Sequence, residues 1–579
     1  MSQSNKNRST INPIESALDV DSADEIRWSD SADVVVVGWG AAGASAAIEA
    51  RAQGADVLVI DRFSGGGASV LSGGVVYAGG GTRYQKQAGY EDSPEAMADY
   101  LKHEANGVVS EQTLARFSRE SVSNLDWLEK QGVRFDSSMP KYKTSYPPDG
   151  VYLYYSGNEV VPAYGNSKLQ ARPAPRGHRV VAKGQSGATF FAALKQSTLD
   201  SGARALTQAR VRRLVREQAT GRIIGVEVWV LPEGDARTER HKKLDELVAK
   251  WRLYQAPRAQ AGRREAAQIE NEMGEKRFIR AHKAVILSTG GYIFNADLME
   301  QHAPAYKPGW LTGAAGCDGS GLRLGQSVGG VGKDLHNISA WRFITPPSAW
   351  PKGLVVNARG ERFCNEQVYG AKLGYEMMEK QGGKAWLIID GSLRRQATWQ
   401  CLFGGLWAFQ SMPALALMYK VALKGSSVAD LARKMGADAA TLQRQFDEAN
   451  AAARGEREDA MGKSKDMRHE FKGGSLFAID ISINQKMFPL AVLSLGGLQV
   501  NEDDGGVLDG AGQNIPGLFA AGRTAIGIAS SRYVSGLSLA DCVFSGRRAG
   551  RAAVVLHDVV KAPAMAGAGV AALEGIGQS

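Results

Sequence analysis

Cysteine is scarce in this chain, which has four cysteines in 579 residues. They are Cys317, Cys364, Cys401 and Cys542, and no CxxC pair or Cys/His spacing connects them. The pattern therefore predicts neither a disulfide framework nor a metal site. Scattered free thiols are typical of a reducing compartment, so we expect a cytoplasmic protein without a bound metal.

Long apolar runs and strong charge are also lacking. No stretch approaches the ~18 apolar residues that span a bilayer, and residues 1–30 contain no apolar core of a secretory signal. The 69 basic and 60 acidic residues give a net charge of +9. Because the basic residues form no tract, nucleic acid is not an expected partner, whereas a mild positive potential suits an anionic cofactor. We expect residues 1–30 and 561–579 to form flexible tails.

Glycine is abundant, with 69 residues, and an N-terminal group of glycines has the pattern of a dinucleotide-binding unit. The apolar run Val34–Val37 suits a buried strand, and Gly38, Gly40 and Gly43 follow it before an alanine-rich helix. These glycines permit a tight turn, close approach of a pyrophosphate, and close packing of helix and strand. A second apolar run ends at Asp61, where a carboxylate would accept a hydrogen bond from a ribose hydroxyl.

A second glycine-rich loop, residues 62–82, directly follows this unit. Its first glycines leave backbone N–H groups accessible to a pyrophosphate, its serines add hydroxyl donors, and its later glycines let a flat ring lie close to the backbone. A glycine-rich surface loop is the alternative. The interpretation depends on Gly65, Gly66, Gly67, Ser69, Ser72, Gly73 and Gly74.

The middle of the first half alternates between helix and strand patterns. Residues 93–132 have the apolar periodicity of helices, and 209–216 and 222–230 alternate like the strands of a hairpin. Residues 233–276 are dense in charge, which predicts a solvated helical insertion, with an oligomer or membrane-surface contact as the alternative.

A further strand is predicted from Phe278 to Leu287. It ends in small residues that suit another close approach of the backbone to a cofactor. These residues are Ser288, Thr289, Gly290 and Gly291.

Residues 300–470 have a mixed pattern, with helices predicted between 426 and 454, and we interpret them as a second domain. Within them, residues 400–420 are rich in Trp, Phe, Met and Leu. This composition suits the apolar wall of a substrate site or ordinary core. From Leu476 the pattern becomes β-rich again, and a helix of small residues is predicted from Leu537 to Ala553.

The motifs GWGAAGASAA, GGGAS, LSGG, LSTGG, GERFCNE, LGGLQV and IPGLFAAGR occur in this order. Over residues 31–555 the chain thereby resembles the fumarate reductase and 3-ketosteroid dehydrogenase family of flavoproteins. The resemblance implies an α/β fold in which a discontinuous Rossmann-like FAD-binding domain, residues 31–299 and 471–560, holds an inserted α+β capping domain, residues 300–470. It implies FAD contacts from Gly38, Gly40, Ala41, Ala42, Gly43, Asp61, Arg62, Gly66, Gly67, Ala68, Ser69, Ser72, Gly73, Gly74, Val211, Thr289, Gly290, Gly291, Ala521, Gly522, Arg523, Gly536, Leu537, Ser538 and Leu539.

Two departures from the fumarate reductases argue against a dicarboxylate substrate. Those enzymes carry a histidine before the last hairpin, where this chain has Leu493 followed by Ser494-Leu495-Gly496-Gly497. They also carry a carboxylate-clamping arginine, whose position is taken here by Tyr533, with Arg532 one residue away. Without a bidentate arginine and a histidine, a site loses its recognition of a carboxylate.

The stretch from Arg532 to Asp541 instead resembles the 3-ketosteroid Δ4-dehydrogenases of the same family. In that group a tyrosine and a serine two residues later lie at the active site, which correspond to Tyr533 and Ser535. A further active-site tyrosine follows the hairpin of the capping domain, and Tyr369 matches it better than Tyr375. The glycine- and proline-rich ending of the Δ1-dehydrogenases does not occur here.

Desaturation beside a ketone removes a proton from the α-carbon and a hydride from the β-carbon. The resemblance implies that Tyr533 and Ser535 remove or relay the α-proton while flavin N5 accepts the β-hydride, with Tyr369 closing the site. A tyrosine with its ordinary pKa of about 10 needs help to act as a base. The positive end of the helix predicted from Gly536 would supply it. A tyrosine packed on the flavin and a serine capping the helix are the alternative roles.

The leading hypothesis is an FAD-dependent 3-ketosteroid dehydrogenase that introduces a C4–C5 double bond. Alternatives are a Δ1-dehydrogenase, a fumarate-reductase-like enoate reductase, and a non-enzymatic flavin-binding electron-transfer protein with residues 233–276 as its docking surface. A covalent flavin link would need a histidine near residues 70–74. Ser72 precedes the glycines there, so we expect non-covalent FAD. We expect a flat, neutral steroid as substrate, an unknown electron acceptor, no transmembrane segment, and an oligomeric state that the sequence leaves open.

Overall fold

The computed structural model describes residues 14–140, 143–164, 173–252 and 255–561. The strands and helices of the first half are β1 (Leu18–Val20), β2 (Asp30–Val37), α1 (Ala41–Ala52), β3 (Val57–Ile60), α2 (Gly67–Val70), β4 (Val75–Tyr77), α3 (Arg83–Gln87), α4 (Pro94–Ala105), α5 (Glu111–Lys130), β5 (Leu153–Tyr154), β6 (Gly177–Arg179), α6 (Gly187–Asp200), β7 (Arg204–Leu206), β8 (Ala209–Glu217), β9 (Ile223–Val230), α7 (Ala236–Trp251), α8 (Ala256–Met273) and β10 (Glu275–Leu287).

The second half continues with smaller sheets and more helices. Its elements are α9 (Ala296–His302), β11 (Trp310–Leu311), α10 (Ser320–Gln326), β12 (Gly332–Lys333), β13 (Ile338–Trp341), β14 (Leu354–Val356), α11 (Gly370–Gln381), β15 (Trp386–Asp390), α12 (Gly391–Phe403), α13 (Ala408–Ala416), a π-helical turn (Leu417–Val421), β16 (Leu423–Gly425), α14 (Val428–Met435), α15 (Ala439–Ala453), β17 (Leu476–Asp480), β18 (Ala491–Ser494), β19 (Gly497–Leu498), β20 (Gly506–Leu508), β21 (Asn514–Ala520) and α16 (Leu537–Lys561).

A nine-stranded mixed sheet carries the N-terminal glycine turn. Strands β7, β3, β2, β10 and β21 form its parallel part, and β2 lies between β3 and β10. Val34, Val35 and Val36 are fully buried because both faces of this part are covered. Helix α16 lies against α1, and Gly546 and Gly550 allow close approach to the α1 backbone. The predicted α/β Rossmann-like fold is confirmed.

The other part of the sheet is antiparallel, and it carries the charged insertion. Strands β8, β9 and β10 pair in succession, which confirms the predicted hairpin. Helices α7 and α8 form the link between β9 and β10, as the charge density predicts. Their inner face is apolar, since Leu244 and Val248 pack with Phe63 and Leu231. The insertion is therefore solvated on one side only.

The capping region is built on a separate antiparallel sheet with the order β14-β15-β17-β16. Strand β17 pairs with β15 along its whole length. The predicted boundary at residue 470 is therefore too early, because β17 belongs to the capping sheet and the chain returns to the cofactor domain only after it. The β-rich pattern from Leu476 is correct, but a strand pattern cannot say which sheet the strand joins.

The N-terminal residues that the structure describes are not a free tail. Strand β1 pairs in parallel with β8, and the ring of Trp28 lies 6.4 Å from that of Phe278. The tail prediction is wrong for residues 14–30, since a few apolar side chains suffice to fix this short segment to the sheet edge. Residues 1–13 and the predicted tail beyond 561 lie outside the described residues. Within the described ranges, none of the helices combines the length and apolarity that crossing a bilayer requires.

Candidate active site

The glycine turn between β2 and α1 is open at Gly40 and tightly packed at Gly38 and Gly43. Gly38 has a φ of +101°, and a Cβ there would lie 2.6 Å from the Ser288 carbonyl oxygen. A Cβ on Gly43 would clash with the Gly38 carbonyl oxygen. At Gly40 a Cβ would meet only ordinary contacts, so this position faces space that a phosphate can fill. The three glycines thus have the three roles that a dinucleotide turn requires.

The second glycine-rich loop is fastened to the first. The Ser69 hydroxyl accepts a hydrogen bond from the Ala41 N–H at 3.0 Å, and the Gly66 N–H donates to the Trp39 carbonyl at 2.6 Å. The Ser72 hydroxyl donates to the Ser69 carbonyl at 2.7 Å. The two serine side chains, predicted as donors to the cofactor, are therefore used to shape the loop around the N-terminus of α1.

The acidic residue at the end of β3 closes the same turn. Asp61 Oδ2 accepts from the Trp39 N–H and Oδ1 from the Phe63 N–H, both at 2.8 Å. The neighbouring Arg62 donates instead to Glu270 of the insertion at 2.6 Å and to Asp318 at 3.1 Å. Its guanidinium is thus held by two carboxylates, so the prediction of an FAD contact from this residue can apply only to its backbone.

A buried charge network surrounds the pair of Arg62 and Glu270. Glu270 also accepts from Arg210 at 2.7 Å and contacts His241 Nε2 at 2.9 Å. Burial alone would raise the pKa of Glu270, but Arg62 and Arg210 hold it well below its usual range. The charged insertion therefore braces the base of the cofactor domain beside Asp61.

A segment from the middle of the chain and one from its C-terminal part complete the predicted cofactor site. The Gly290 N–H donates to Thr524 Oγ1 at 3.0 Å, and the Gly522 N–H donates to Ser545 Oγ at 2.9 Å. Arg523 contacts Cys317 Sγ at 3.4 Å through one nitrogen, while its Nη1 is buried without a hydrogen-bond partner among the described residues. An orphaned buried guanidinium nitrogen beside glycine backbone is what an absent anionic or carbonyl-bearing group would leave.

The remaining predicted cofactor residues fall along the same cleft. Gly536 has a φ of +90°, and its carbonyl accepts from the Tyr77 N–H at 3.1 Å, which places the N-terminus of α16 against β4. A Cβ on Gly73 would lie 2.7 Å from the Tyr146 ring. Val211 lies within β8 and is buried. The other predicted contacts adjoin these points: Ala42, Gly67, Ala68, Gly74, Thr289, Gly291, Ala521, Leu537, Ser538 and Leu539.

These features fit FAD. Two helix N-termini, those of α1 and α16, offer free N–H groups and positive dipole ends to a pyrophosphate and a flavin ring. The glycine turn leaves room for the phosphates, and the unpartnered Arg523 nitrogen offers a donor.

The three predicted catalytic residues come together, and a fourth joins them. The Ser535 hydroxyl forms a hydrogen bond of 3.1 Å with the Tyr154 hydroxyl, and it also interacts with the Tyr369 phenol. The Ser535 N–H donates to the Ser156 carbonyl at 3.2 Å. Tyr533 lies close enough to Tyr369 and Tyr154 to influence the pKa of each. The capping region and the cofactor domain thus supply one cluster of hydroxyls.

The environment separates these phenols by acidity. Burial raises the pKa of Tyr369 well above its ordinary value and raises that of Tyr154 strongly, with Ser535 opposing part of each rise. Burial raises the pKa of Tyr533 only to about 12, because the Arg523 guanidinium and a backbone hydrogen bond from Gly536 favour its phenolate. Tyr533 is therefore the phenol of this cluster that most readily bears a negative charge.

Aromatic side chains from β13 and the residues after it form the apolar wall of the cluster. The ring of Trp341 lies 5.1 Å from Tyr533, and that of Phe343 lies 5.5 Å from Tyr369. A crevice between residues 143–145 and 343–345 opens beside Tyr369. This wall was not predicted. Residues 400–420 were predicted as substrate wall or core, but several of their large side chains are exposed: Phe403 is 70% exposed and Met412 is 65% exposed.

Arg532 does not replace the missing carboxylate clamp. It donates to the His103 carbonyl at 3.0 Å, and its guanidinium lies over the Tyr375 ring at 5.3 Å. Tyr375 therefore packs against Arg532, and Tyr369 is the tyrosine that joins the cluster. At the position of the family histidine, Leu493 is a buried apolar residue.

Tyr369 is held in place by a buried polar network, which the sequence analysis did not predict. Asn158 Oδ1 accepts from the Tyr369 N–H at 2.6 Å, and Asn158 Nδ2 donates to Glu104 at 2.7 Å. The Tyr100 hydroxyl donates to Glu104 at 2.8 Å. Burial raises the pKa of Glu104. Asn158 and Tyr154 both lie in a Pro-, Tyr- and Gly-rich stretch without periodicity, so the sequence carried no signal for their role.

The profile of the FAD binding domain family matches residues 33–539. The chain belongs to this family. It is 71% identical over 529 residues to the 3-oxo-5-alpha-steroid 4-dehydrogenase of Comamonas testosteroni, an alignment that covers 90% of this chain and 98% of the relative. Its assignment as an FAD-dependent oxidoreductase related to the 3-ketosteroid dehydrogenases is therefore confirmed.

Solved structures agree with this assignment. The 3-ketosteroid-delta4-(5alpha)-dehydrogenase of Rhodococcus jostii RHA1, in complex with 4-androstene-3,17-dione, matches with a TM-score of 0.77 and 30% identity over 93% of this chain and 99% of that one. The 3-ketosteroid delta1-dehydrogenase of Sterolibacterium denitrificans matches with a TM-score of 0.60 and 19% identity, over 91% and 100% of the two chains, and so shares the fold.

Proposed function

We propose that this flavoenzyme is a 3-ketosteroid Δ4-dehydrogenase, which introduces a C4–C5 double bond into saturated 3-ketosteroids. The observation that carries the proposal is the hydroxyl cluster of Tyr533, Ser535, Tyr154 and Tyr369 beside an aromatic wall. This set recognises a neutral ketone, where a diacid would need cationic side chains. The 71% identity to a 3-oxo-5-alpha-steroid 4-dehydrogenase supports the same substrate class, and it favours 5α-saturated steroids.

The acidities assign different roles to the phenols. Tyr369 and Tyr154, whose pKa values are raised most, stay protonated and can donate a hydrogen bond to the 3-keto oxygen as enolate charge develops there. Tyr533, whose phenolate is favoured by Arg523 and the Gly536 N–H, is suited to take the proton from C4 at its phenolic oxygen. The Ser535 hydroxyl, bonded to Tyr154, can relay a proton away from the reacting carbon.

FAD supplies the acceptor for the hydride that leaves C5. The chain's own contribution on that side is to hold the cofactor between the N-termini of α1 and α16 and to close the site with Tyr369. Ser72 donates its hydroxyl to the Ser69 carbonyl, and we expect FAD to be bound without a covalent bond. Four unpaired cysteines fit a cytoplasmic protein.

An anaerobic flavin-reduction experiment tests the proposal. A 5α-saturated 3-ketosteroid should bleach the flavin absorbance of the purified holoenzyme, and the product should carry its new double bond at C4–C5 by NMR. The matched 5β-steroid should bleach it more slowly, and fumarate should not reoxidise the reduced enzyme. A product with a C1–C2 double bond, or rapid reoxidation by fumarate, would contradict the assignment.

A further inference from the structure

An apolar surface covers the outside of the capping region. It consists of large side chains on α12, α13 and the π-helical turn, of which Phe403 is 70%, Met412 65% and Trp399 61% exposed. Large apolar side chains exposed elsewhere in the described ranges are isolated, as Met487 and Leu199 are. We call the set the 399–419 surface, and its members are Trp399, Leu402, Phe403, Phe409, Met412 and Tyr419.

These exposed side chains are additional to the apolar residues that anchor the same helices to the core. The same helices bury a separate set of apolar residues, including Ala397, Ala414 and Leu417, in the core of the molecule. The segment is therefore apolar on both its inner and its outer side, whereas a surface helix ordinarily presents charge outward. A contiguous exposed patch of this kind marks an interaction site.

The segment that carries the surface has charged side chains of a single sign. Between Asp390 and Asp430 the chain contains no acidic residue, but it contains two arginines and two lysines. Arg395, Lys420 and Lys424 are exposed, and Arg394 lies over the Tyr419 ring at 4.8 Å. In the whole chain, by contrast, basic and acidic residues are nearly balanced, at 69 and 60.

We propose that the 399–419 surface docks the enzyme on an anionic lipid bilayer. Exposed Trp, Tyr, Phe and Leu side chains, with basic residues beside them, are the composition of a protein face that inserts at the headgroup level. The cytoplasmic leaflet supplies the negative charge. A second copy of the chain is disfavoured as occupant, because a two-fold contact centred here would bring the basic residues of both copies together.

The surface adjoins the crevice that leads to Tyr369. Trp407, between α12 and α13, donates its Nε1–H to the Pro147 carbonyl at 3.3 Å, and Gln400 accepts from the Ala349 N–H at 3.1 Å. Residues 143–145 and 343–345, close to these two contacts along the chain, line the crevice. Docking on this face would place the crevice near the bilayer, into which an apolar substrate partitions.

Vesicle sedimentation tests the proposal without any steroid. The FAD-loaded full chain should pellet with vesicles of phosphatidylglycerol and phosphatidylcholine in equal parts, and pellet less with added salt or with phosphatidylcholine alone. Phe403→Ser with Met412→Ser should lower the vesicle affinity at least about tenfold. Lys420→Glu with Lys424→Glu should lower it by a similar factor on the anionic vesicles. Met487→Ser is the matched control and should bind like the parent.

Each other result would overturn the proposal. Absence of pelleting, equal pelleting on both vesicle types, or insensitivity to the paired substitutions would exclude this surface as an anionic-lipid site. A dimer that forms without vesicles and disappears in the Phe403→Ser/Met412→Ser variant would assign the surface to a second copy instead. The substituted positions are exposed, so flavin content and turnover of dissolved steroid should be unchanged in every variant. These measurements separate loss of docking from misfolding.

Discussion

Tyr533→Phe removes one oxygen atom from the active-site cluster, and its expected effect follows from the surroundings of that oxygen. The phenolate is favoured by Arg523 and by a backbone hydrogen bond from Gly536, and burial still raises the pKa to about 12. If this oxygen takes the C4 proton, its loss costs the contribution of a positioned base, on the order of a hundredfold to ten-thousandfold in turnover. Those factors correspond to about 3–5 kcal/mol of activation free energy.

The pH dependence makes the prediction specific to a base. A group with a pKa of about 12 is almost fully protonated at neutral pH, and its ionised fraction grows about tenfold per pH unit below that value. Turnover of the parent enzyme should therefore rise between about pH 7 and pH 10. In Tyr533→Phe the residual rate should be nearly independent of pH over that range.

Stopped-flow bleaching of the flavin under anaerobic conditions measures the step directly, and dye-coupled turnover measures the cycle. Tyr306→Phe is a suitable control, because it removes another buried phenol oxygen, which donates to Glu379 outside the cluster. FAD content should be the same in parent, variant and control. A Tyr533→Phe enzyme that bleaches within about threefold of the parent, or that keeps the parent's rise with pH, would refute the role of this phenol as the base.

Three further predictions concern the supporting structure. Asn158→Ala leaves the Tyr369 N–H without a partner and the Glu104 carboxyl with the Tyr100 hydroxyl alone, so turnover should fall on the order of tenfold with FAD retained. The unfolding free energy, measured in urea, should fall by about 1–3 kcal/mol. Burial raises the pKa of Asp541 to about 6, so its stabilising contribution is complete below about pH 4 and is lost as the pH rises through 6. Asp541→Asn should therefore gain about 3 kcal/mol over the parent at pH 8 and little at pH 4. Gly43→Ala should yield colourless protein because its Cβ meets the Gly38 carbonyl, whereas Gly510→Ala, with nothing within 4 Å, should stay yellow.

Much of the cofactor domain could be predicted because its determinants are local. The strand, turn and helix around Gly38 follow from apolar runs and from glycines whose positive φ or close contacts admit no other residue. The hairpin of β8 and β9 follows from alternation, and the charged insertion from its composition. Tyr533 and Ser535 came from comparison with the family's motif, and the structure brings both to Tyr369.

The rest depends on contacts between distant residues. Tyr154 reaches Ser535 across 381 positions, and Asn158 reaches Tyr369 across 211. No periodicity marks such pairs. Residues 400–420 illustrate the same limit, because apolar composition alone does not distinguish a substrate wall from core or from an exposed surface.

The charged insertion, residues 233–276, has a structural role that its composition does not indicate. Its charge density predicted a solvated helical insertion. In the structure Glu270 neutralises Arg62 and Arg210, and His241 contacts the same carboxylate. Deletion would leave two buried guanidinium groups without this partner, an imbalance that costs several kcal/mol. Substitution on the exposed face, such as Arg240→Gln, which breaks only a surface pair with Glu265, is the better probe of docking by the insertion.

The electrostatics of the site explain how one fold serves both ketones and diacids. Every phenol of the cluster has a raised pKa, which means that the site as a whole disfavours negative charge. Arg523 is the cation that opposes this trend at Tyr533, and it acts in the same direction on the Cys542 thiol. A dicarboxylate would bring two charges into this environment, where the residues described in the cluster offer it no bidentate partner, whereas a ketone brings no charge until proton removal begins. The anion that the site stabilises is the enolate that forms during the reaction, because Tyr369 and Tyr154 can donate hydrogen bonds to it. The arrangement that disfavours a diacid therefore stabilises the transition state.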